Sequence, residues 1–246
     1  MLSTKETLQR MSNRYPTAFD LIEQLITPHT FFTIFQQLSD NYSPTLTVSR
    51  VQGALVEQIM KDSSADQRQV QIDRNLYRSG TIGVRVGQLK PAVWLSAHAD
   101  ICSYLTGPWD GQGYPVIPFC SHPNVPGRRP AMALGTPVGA GPLERLAEGE
   151  MVTDDQGQVR FEVDRDDLPL STRVVHHLPA HWDPETDRVT GFLDNLAAST
   201  AILLVAQVLS RLDANLLVLI NDEEEGPVDR GNQGFARASN RLLHRT

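Results

Sequence analysis

Two apolar runs in this chain each stop at a group of side chains able to hold a metal ion. Ala92–Ala97 runs into His98-Ala99-Asp100, and Leu216–Ile220 runs into Asn221-Asp222-Glu223-Glu224-Glu225-Gly226. A further carboxylate, Asp194, opens a long apolar helical stretch, where the helix dipole favours negative charge. Imidazole with carboxylates is a donor set for zinc, cobalt or manganese, and a carboxylate beside such an ion can take a proton from water. Each feature alone has a plain explanation: a capped strand end for H-x-D, an N-cap for Asp194, solvated surface for the acidic triplet. Their conjunction at the ends of elements favours a metal site. Three successive carboxylates also repel one another, so without a cation at least one should have a raised pKa.

The elements that must position these groups follow from the hydrophobic pattern. Residues 1–41 read as helical, with apolar stripes at Leu2, Leu8 and Met11 and at Phe19, Leu21, Ile22, Leu25 and Ile26, punctuated by Pro28 and the 41–44 stretch. Ser49 is expected to cap a helix through Val51, Leu55, Val56 and Ile59. Strands are expected at 69–73, 80–86 and 92–97, the last so apolar that it should lie in a sheet covered on both faces. Ligands gather beyond the carboxyl ends of strands in open α/β sheets, which gives the position of His98 its meaning.

Composition changes at Gly107. Eight of the 16 prolines and seven of the 17 glycines lie between Gly107 and Pro142, where no helix can persist. Short strands are expected at 158–163, 172–177 and 188–192, so this region reads as a β-rich insertion in an α/β domain. Residues 193–212 then carry helix with most of its circumference apolar, 213–215 a turn, 216–220 a buried strand and 232–244 a last helix.

Bulk properties exclude several classes. The chain has 246 residues, with 40% hydrophobic and 21% charged, as in soluble globular proteins. A net charge of −7 argues against nucleic acid as a partner. The N-terminus lacks the apolar core of a signal peptide, and the longest apolar run, 201–209, is too short for a bilayer, so no membrane partner and a cytoplasmic location are expected. Cys102 and Cys120 form no framework. His176, His177 and His181 make a weaker metal candidate, because strand alternation sends the first two to opposite faces. His29, His122 and His244 lack partners in sequence, and neither a G-x-S-x-G elbow nor a phosphate-binding glycine loop occurs.

Three motifs in order carry a resemblance. Trp94-Leu95-Ser96-Ala97-His98-Ala99-Asp100 resembles the first metal-ligand strand of the M42 aminopeptidases and, more broadly, of the M20 and M28 metallopeptidases. Gly191-Phe192-Leu193-Asp194-Asn195-Leu196-Ala197-Ala198 resembles their bridging-aspartate motif, and Asp222-Glu223-Glu224-Glu225-Gly226 their Glu–Glu motif. A β-rich insertion between the first two is the M42 arrangement. The resemblance implies an α/β, zinc-exopeptidase-like sheet flanked by helices, incomplete here, with an inserted barrel-like domain. The division expected is 1–106 for the N-terminal helices and first part of the catalytic domain, 107–190 for the insertion and 191–246 for the continuation.

Carried over, His98 and Glu224 would bind one ion, Asp194 would bridge two, Glu223 would be the general base and Asp100 would orient His98. The resemblance also implies a cis Asp194–Asn195 bond. The activity implied is metal-dependent hydrolysis of N-terminal peptide bonds, on a peptide substrate, with zinc and with cobalt or manganese as substitutes. The family's catalytic domain continues past the Glu–Glu motif and there supplies a further acidic ligand and a final His, which no residue here matches. The expectation is therefore at most one ion where the complete site holds two, and a homo-oligomer or a complementing C-terminal part. The alternatives are a catalytically dead remnant serving as a binding or assembly module, and an M20-type amidase or deacylase.

Overall fold

The computed structural model describes residues 3–120, 125–136, 139–212, 214–227 and 237–244; His122, Asp213 and the first part of the expected last helix lie outside them. Three helices lead, α1 (Thr4–Arg14), α2 (Ala18–Leu25) and α3 (Pro28–Asp40). Their starts are legible chemistry. Ser3 and Glu6 close a capping box on α1, and Thr27 caps α3, whose first residue is Pro28.

The next helix differs from expectation. It is broken into α4 (Val48–Val51) and α5 (Gly53–Asp62), and Ser49 lies inside the first turn. Thr47 occupies the cap position and turns its hydroxyl back to the Pro44 carbonyl at 2.6 Å. At the break, the Gln52 amide donates to the Leu38 and Asn41 carbonyls, fastening the turn to the end of α3.

A four-stranded sheet follows, in the order β1 (Val70–Asp73), β2 (Ile82–Val86), β12 (Leu216–Asn221) and β3 (Val93–His98). Strand β12 is antiparallel to β2 and parallel to β3, with Asn221 opposite His98. Because β12 is central, all six of its residues are buried. Leu216, Val218 and Ile220 meet a core of Phe35, Leu38, Val56, Met60, Leu203 and Leu204. Leu217 and Leu219 face the other way, toward Leu76 and Leu242.

The expectation that the 92–97 strand is covered on both faces does not hold. Among the described residues β3 has no strand beyond it, and Val93 and Trp94, neighbours that alternate between the two faces, are exposed. Its hydrophobicity alone cannot reveal which flank lacks a neighbour. Beside it a cavity of about 360 Å³ is lined by Leu76, Tyr77, Lys90, Trp94, Leu217 and Leu242.

Between β3 and the next helix the chain makes a closed six-stranded barrel: β4 (Tyr104–Thr106), β5 (Tyr114–Pro118), β8 (Val159–Glu162), β7 (Arg145–Thr153), β6 (Gly127–Leu134) and β9 (Arg173–His176), in that spatial order. Strand β9 pairs with both β6 and β4, which closes the ring over Tyr104, Tyr114, Met151, Phe161 and Val174. The hairpin β10 (His181–Asp183) and β11 (Arg188–Thr190) leads to α6 (Leu193–Ser210). Counted over its full 18 residues, α6 is long and apolar enough to cross a membrane, unlike the shorter run read from sequence, but half of it is buried inside the protein. It packs on β3, β12 and α3. The last described helix is α7 (Arg237–Leu243).

Candidate metal centre

The parallel pairing of β3 and β12 brings the two sequence clusters together, since strands that run side by side end side by side. Asn221 locks the ends by donating to Ser96 Oγ at 2.5 Å and accepting from Thr81 Oγ1 at 3.0 Å. Helix α6 joins through Ser199, whose hydroxyl donates to the His98 carbonyl at 2.9 Å. The N-terminal end of α6 thereby lies over the same place. The Asp194–Asn195 peptide is cis, as the resemblance implies.

His98 is the hub. Its Nε2 lies 3.2 Å from Asp194 Oδ1 and 3.5 Å from Glu224 Oε2, while Nδ1 faces Asp100, 3.3 Å from the carbonyl and 3.5 Å from Oδ1. Burial alone would lower the imidazole pKa. The hydrogen bond and charge of Asp100, with the charges of Glu224 and Glu225, outweigh it and push the value up to about 9. So the site carries more negative charge than its own cation can balance.

Asp100 is fully buried and acts as a bracket. It accepts Thr45 Oγ1 at 2.7 Å and the backbone N–H groups of Glu224 and Glu225 at 3.2 and 3.1 Å. These bonds bend the acidic loop over His98. Asp222 braces the loop from behind, accepting the N–H groups of Leu46, Val48 and Glu223 at 2.8, 3.1 and 2.7 Å. Burial, then the Asp100 charge, push its carboxyl up to about 7 despite those bonds. Glu225 is also raised, first by burial, so the triplet does hold a raised carboxyl as expected, with burial ahead of repulsion as the cause.

The structure places the acidic triplet in three different surroundings. Glu223 takes φ +60, and its carboxylate is bound by Arg241 of α7, with the Nη1–Oε2 contact at 3.2 Å. Glu224 reaches the His98 ring, as given above. Glu225, which had no assigned role in sequence, joins His98 and Asp194. One ligand atom from each of these three residues lies within 4.8 Å of the others, with Asp194 exposed and His98 buried. Nothing in the residue types separated Glu225 from Glu224. After the left-handed turn at Glu223 both following carboxylates lie near the imidazole, and no residue-type rule foretells such a turn at a glutamate.

The donor set fits a divalent ion. It offers one imidazole and two carboxylates, with the far nitrogen of the imidazole held by a carboxylate, the usual support for a metal-bound histidine. His176, His177 and His181 do not assemble. His176 meets the Tyr104 ring edge-on, His177 Nδ1 lies 3.2 Å from Tyr42 Oη, and His181 is exposed on β10. His29 lines a cavity of about 370 Å³ between the N-terminal helices and α5, away from His98.

Against known proteins, no family model and no curated protein matches the chain. Solved structures do. An aminopeptidase from the archaeon Desulfurococcus kamchatkensis superposes with a TM-score of 0.64 at 14% identity, over 84% of this chain and 58% of that one. The fold is that of the TET aminopeptidases. A TET aminopeptidase from a marine sediment archaeon of the Thaumarchaeota gives a TM-score of 0.64 at 10% identity, covering 88% of this chain and 63% of that one. The TET1 peptidase of Pyrococcus horikoshii, which assembles into a tetrahedron or a large octahedral shell, gives 0.59 at 15% identity, over 83% and 63%. The chain thus spans about three-fifths of the length of these peptidases.

Proposed function

We propose that this chain is the metal-holding portion of an M42-type metallo-aminopeptidase. The observation that carries the reading is the meeting of His98, Asp194 and Glu225 where β3, α6 and the loop after β12 converge, within the TET aminopeptidase fold. In this reading the three side chains hold one divalent ion, zinc by preference, with cobalt or manganese as substitutes. A bound ion there supplies Lewis acidity toward the scissile carbonyl and toward water. Asp100 fixes the His98 tautomer and the height of the acidic loop. The resemblance gave the proton-accepting role to Glu223 and the ligand role to Glu224. What supports moving both one place on is that Arg241 engages Glu223, while Glu224 reaches the His98 ring and Glu225 joins the ligand group. The substrate is the N-terminal residue of a peptide. The working form is a cytoplasmic homo-oligomer.

Cobalt titration followed by visible absorption, with an aminoacyl-p-nitroanilide assay beside it, tests this. His98→Ala and Glu225→Gln should each abolish the cobalt spectrum. Glu224→Gln should keep the spectrum and lose turnover. A spectrum that survives His98→Ala would sink the metal reading.

A second reading is favoured by one observation. Glu223, the base in the roles that the resemblance implies, has its carboxylate held by Arg241. In that reading the protein is an inactive remnant whose barrel serves assembly. Metal binding without turnover on peptide or acyl-amino-acid substrates, together with a stable oligomer, would decide for it.

A further inference from the structure

Two thiols stand beside the metal centre, and the reading above gives them no task. Cys102 lies just before β4 and Cys120 just after β5. The β4–β5 register pairs Tyr104 with Pro118, Leu105 with Ile117 and Thr106 with Val116. The ladder continues past the strand ends, since Phe119 N donates to the Ser103 carbonyl at 2.9 Å. One rung further, the same register sets Cys102 directly opposite Cys120. The ladder's hydrogen bonds fall at Ser103/Phe119 and at Gly107/Pro115, so the alternate rungs, Tyr104/Pro118 and Cys102/Cys120, are of the non-hydrogen-bonded kind. In such pairs the Cα atoms are about 4.5 Å apart and the side chains are closest. That separation falls inside the range of about 4.4–6.8 Å found across disulfides. Both cysteines are free.

The pair also touches the site. Cys102 Sγ donates to Glu225 Oε2 at 3.1 Å. Cys120 lies under the same loop, so closely that a Cβ at Gly226 would come within 3.1 Å of its sulfur. Thr45, which holds Asp100, reaches Cys120 Sγ at 3.5 Å. A covalent change at these sulfurs therefore bears on Glu225 through one hydrogen bond.

We propose that Cys102 and Cys120 form a reversible disulfide, and that its formation withdraws the thiol donor from Glu225 and weakens metal binding. The oxidant class is a peroxide. One sulfur of the pair attacks a peroxide oxygen. An S–O bond forms, the O–O bond breaks, and the thiol proton leaves with the departing oxygen as water. The other sulfur then displaces the hydroxyl from the first. The S–S bond forms, the S–O bond breaks, and the second thiol proton completes a second water. Two sulfurs give up two electrons, and one peroxide accepts them. A dithiol reverses the bond by exchange.

Only the effect on metal binding rests on the metal reading; the bond itself rests on the register. Hydrogen peroxide is added in slight excess to the full chain. Non-reducing peptide mapping then reads the cross-link, and cobalt titration reads affinity before oxidation, after it, and after dithiothreitol. The expected result is a 102–120 linked peptide and a fall in cobalt affinity of about 10–100-fold, the usual effect of removing a ligand's hydrogen-bond partner, restored by dithiothreitol. Cys120→Ser leaves Cys102 and its bond to Glu225 in place, so it should form no 102–120 link and show no dithiothreitol-reversible fall in cobalt affinity after peroxide. Absence of the linked peptide overturns the proposal. So does a linked chain whose cobalt affinity stays within about threefold of the reduced one, a margin set well below the expected change. If the reduced chain itself binds no cobalt, the metal reading and the proposed effect on metal binding fail together, while the map still judges the thiol pairing.

Discussion

The buried carboxylate of Asp100 accepts the backbone N–H of Glu225 at 3.1 Å, across 125 residues of sequence. That bond, with its twin to Glu224, joins the end of β3 to the loop after β12. Asp100→Ala leaves both N–H groups and the Thr45 hydroxyl short of an acceptor. We expect a loss of stability on the order of 3 kcal/mol, from several bonds to a charged acceptor, read as a lower urea midpoint. Cobalt affinity should fall by about 10–100-fold. A variant as stable as the parent would remove the bracket from the account.

Metal binding should release a proton. His98 holds its proton up to about pH 9 in the metal-free chain and must lose it to coordinate. Affinity should therefore climb by about tenfold per pH unit between roughly pH 7 and 9 and level off above, the behaviour of one proton exchanged for one ion. Calorimetry in buffers of different ionisation enthalpy counts that proton. Flat affinity over this window would contradict the His98 environment described above.

Stability of the metal-free chain should depend on pH with a definite sign. Asp222 is raised from 3.8 to about 7, so it binds its proton more tightly folded than unfolded, and its contribution is lost as pH rises from about 4 through 7. His98 is raised from 6.5 to about 9, so its contribution is complete below about 6.5 and is lost as pH rises through 9. The urea midpoint should thus fall in two stages. Asp222→Asn should flatten the lower stage and His98→Gln the upper. A midpoint that climbs between pH 7 and 9 would reverse the second sign.

Arg241 and Glu223 should be coupled. Arg241→Met leaves a buried carboxylate without its cation, and Glu223→Gln leaves a cation without its carboxylate. Breaking a buried pair costs about 3–5 kcal/mol. The guanidinium here is partly exposed, so about 1–3 kcal/mol is expected for Arg241→Met. The double variant should recover part of that loss. Strict additivity in the cycle would mean that the pair contributes nothing.

Gly191 should resist substitution. Its φ is +142, and a Cβ there would meet the Phe35 ring at 2.9 Å and Ser39 Oγ at 3.0 Å. Gly191→Ala should cost about 1–3 kcal/mol through overpacking and should loosen Asp194, three residues on. Thermal unfolding and cobalt affinity both read this out.

Much of this architecture was legible in the residues. His98 and the triplet were visible because each terminates an apolar run, and the parallel register between β3 and β12 turns that coincidence into proximity. Asp194 was visible as an acid at a helix start. The different surroundings of Glu223, Glu224 and Glu225 were not visible, because they depend on one backbone turn and on Arg241, 18 residues later. The residues alone read as a β-rich insertion and the resemblance implied a barrel-like one, but the closure itself could not be read from the residues. It rests on β9 reaching both β6 and β4, a long-range pairing that short strands rich in proline and glycine do not announce. Ser49 misled because a hydroxyl near a helix start is a cap only when the backbone turns there, and it turns at Thr47 instead.

The same closure has a consequence for how such a chain can be rearranged. Strands β4 and β9 are the first and last of the barrel, and they lie side by side, with Leu105 opposite Arg173. The polypeptide leaves the sheet and returns to it through adjacent doors. A short turn between residues 103 and 177 would bridge the gap, so a gene could shed or acquire the barrel in one cassette while the strand bearing His98 and the helix bearing Asp194 keep their places.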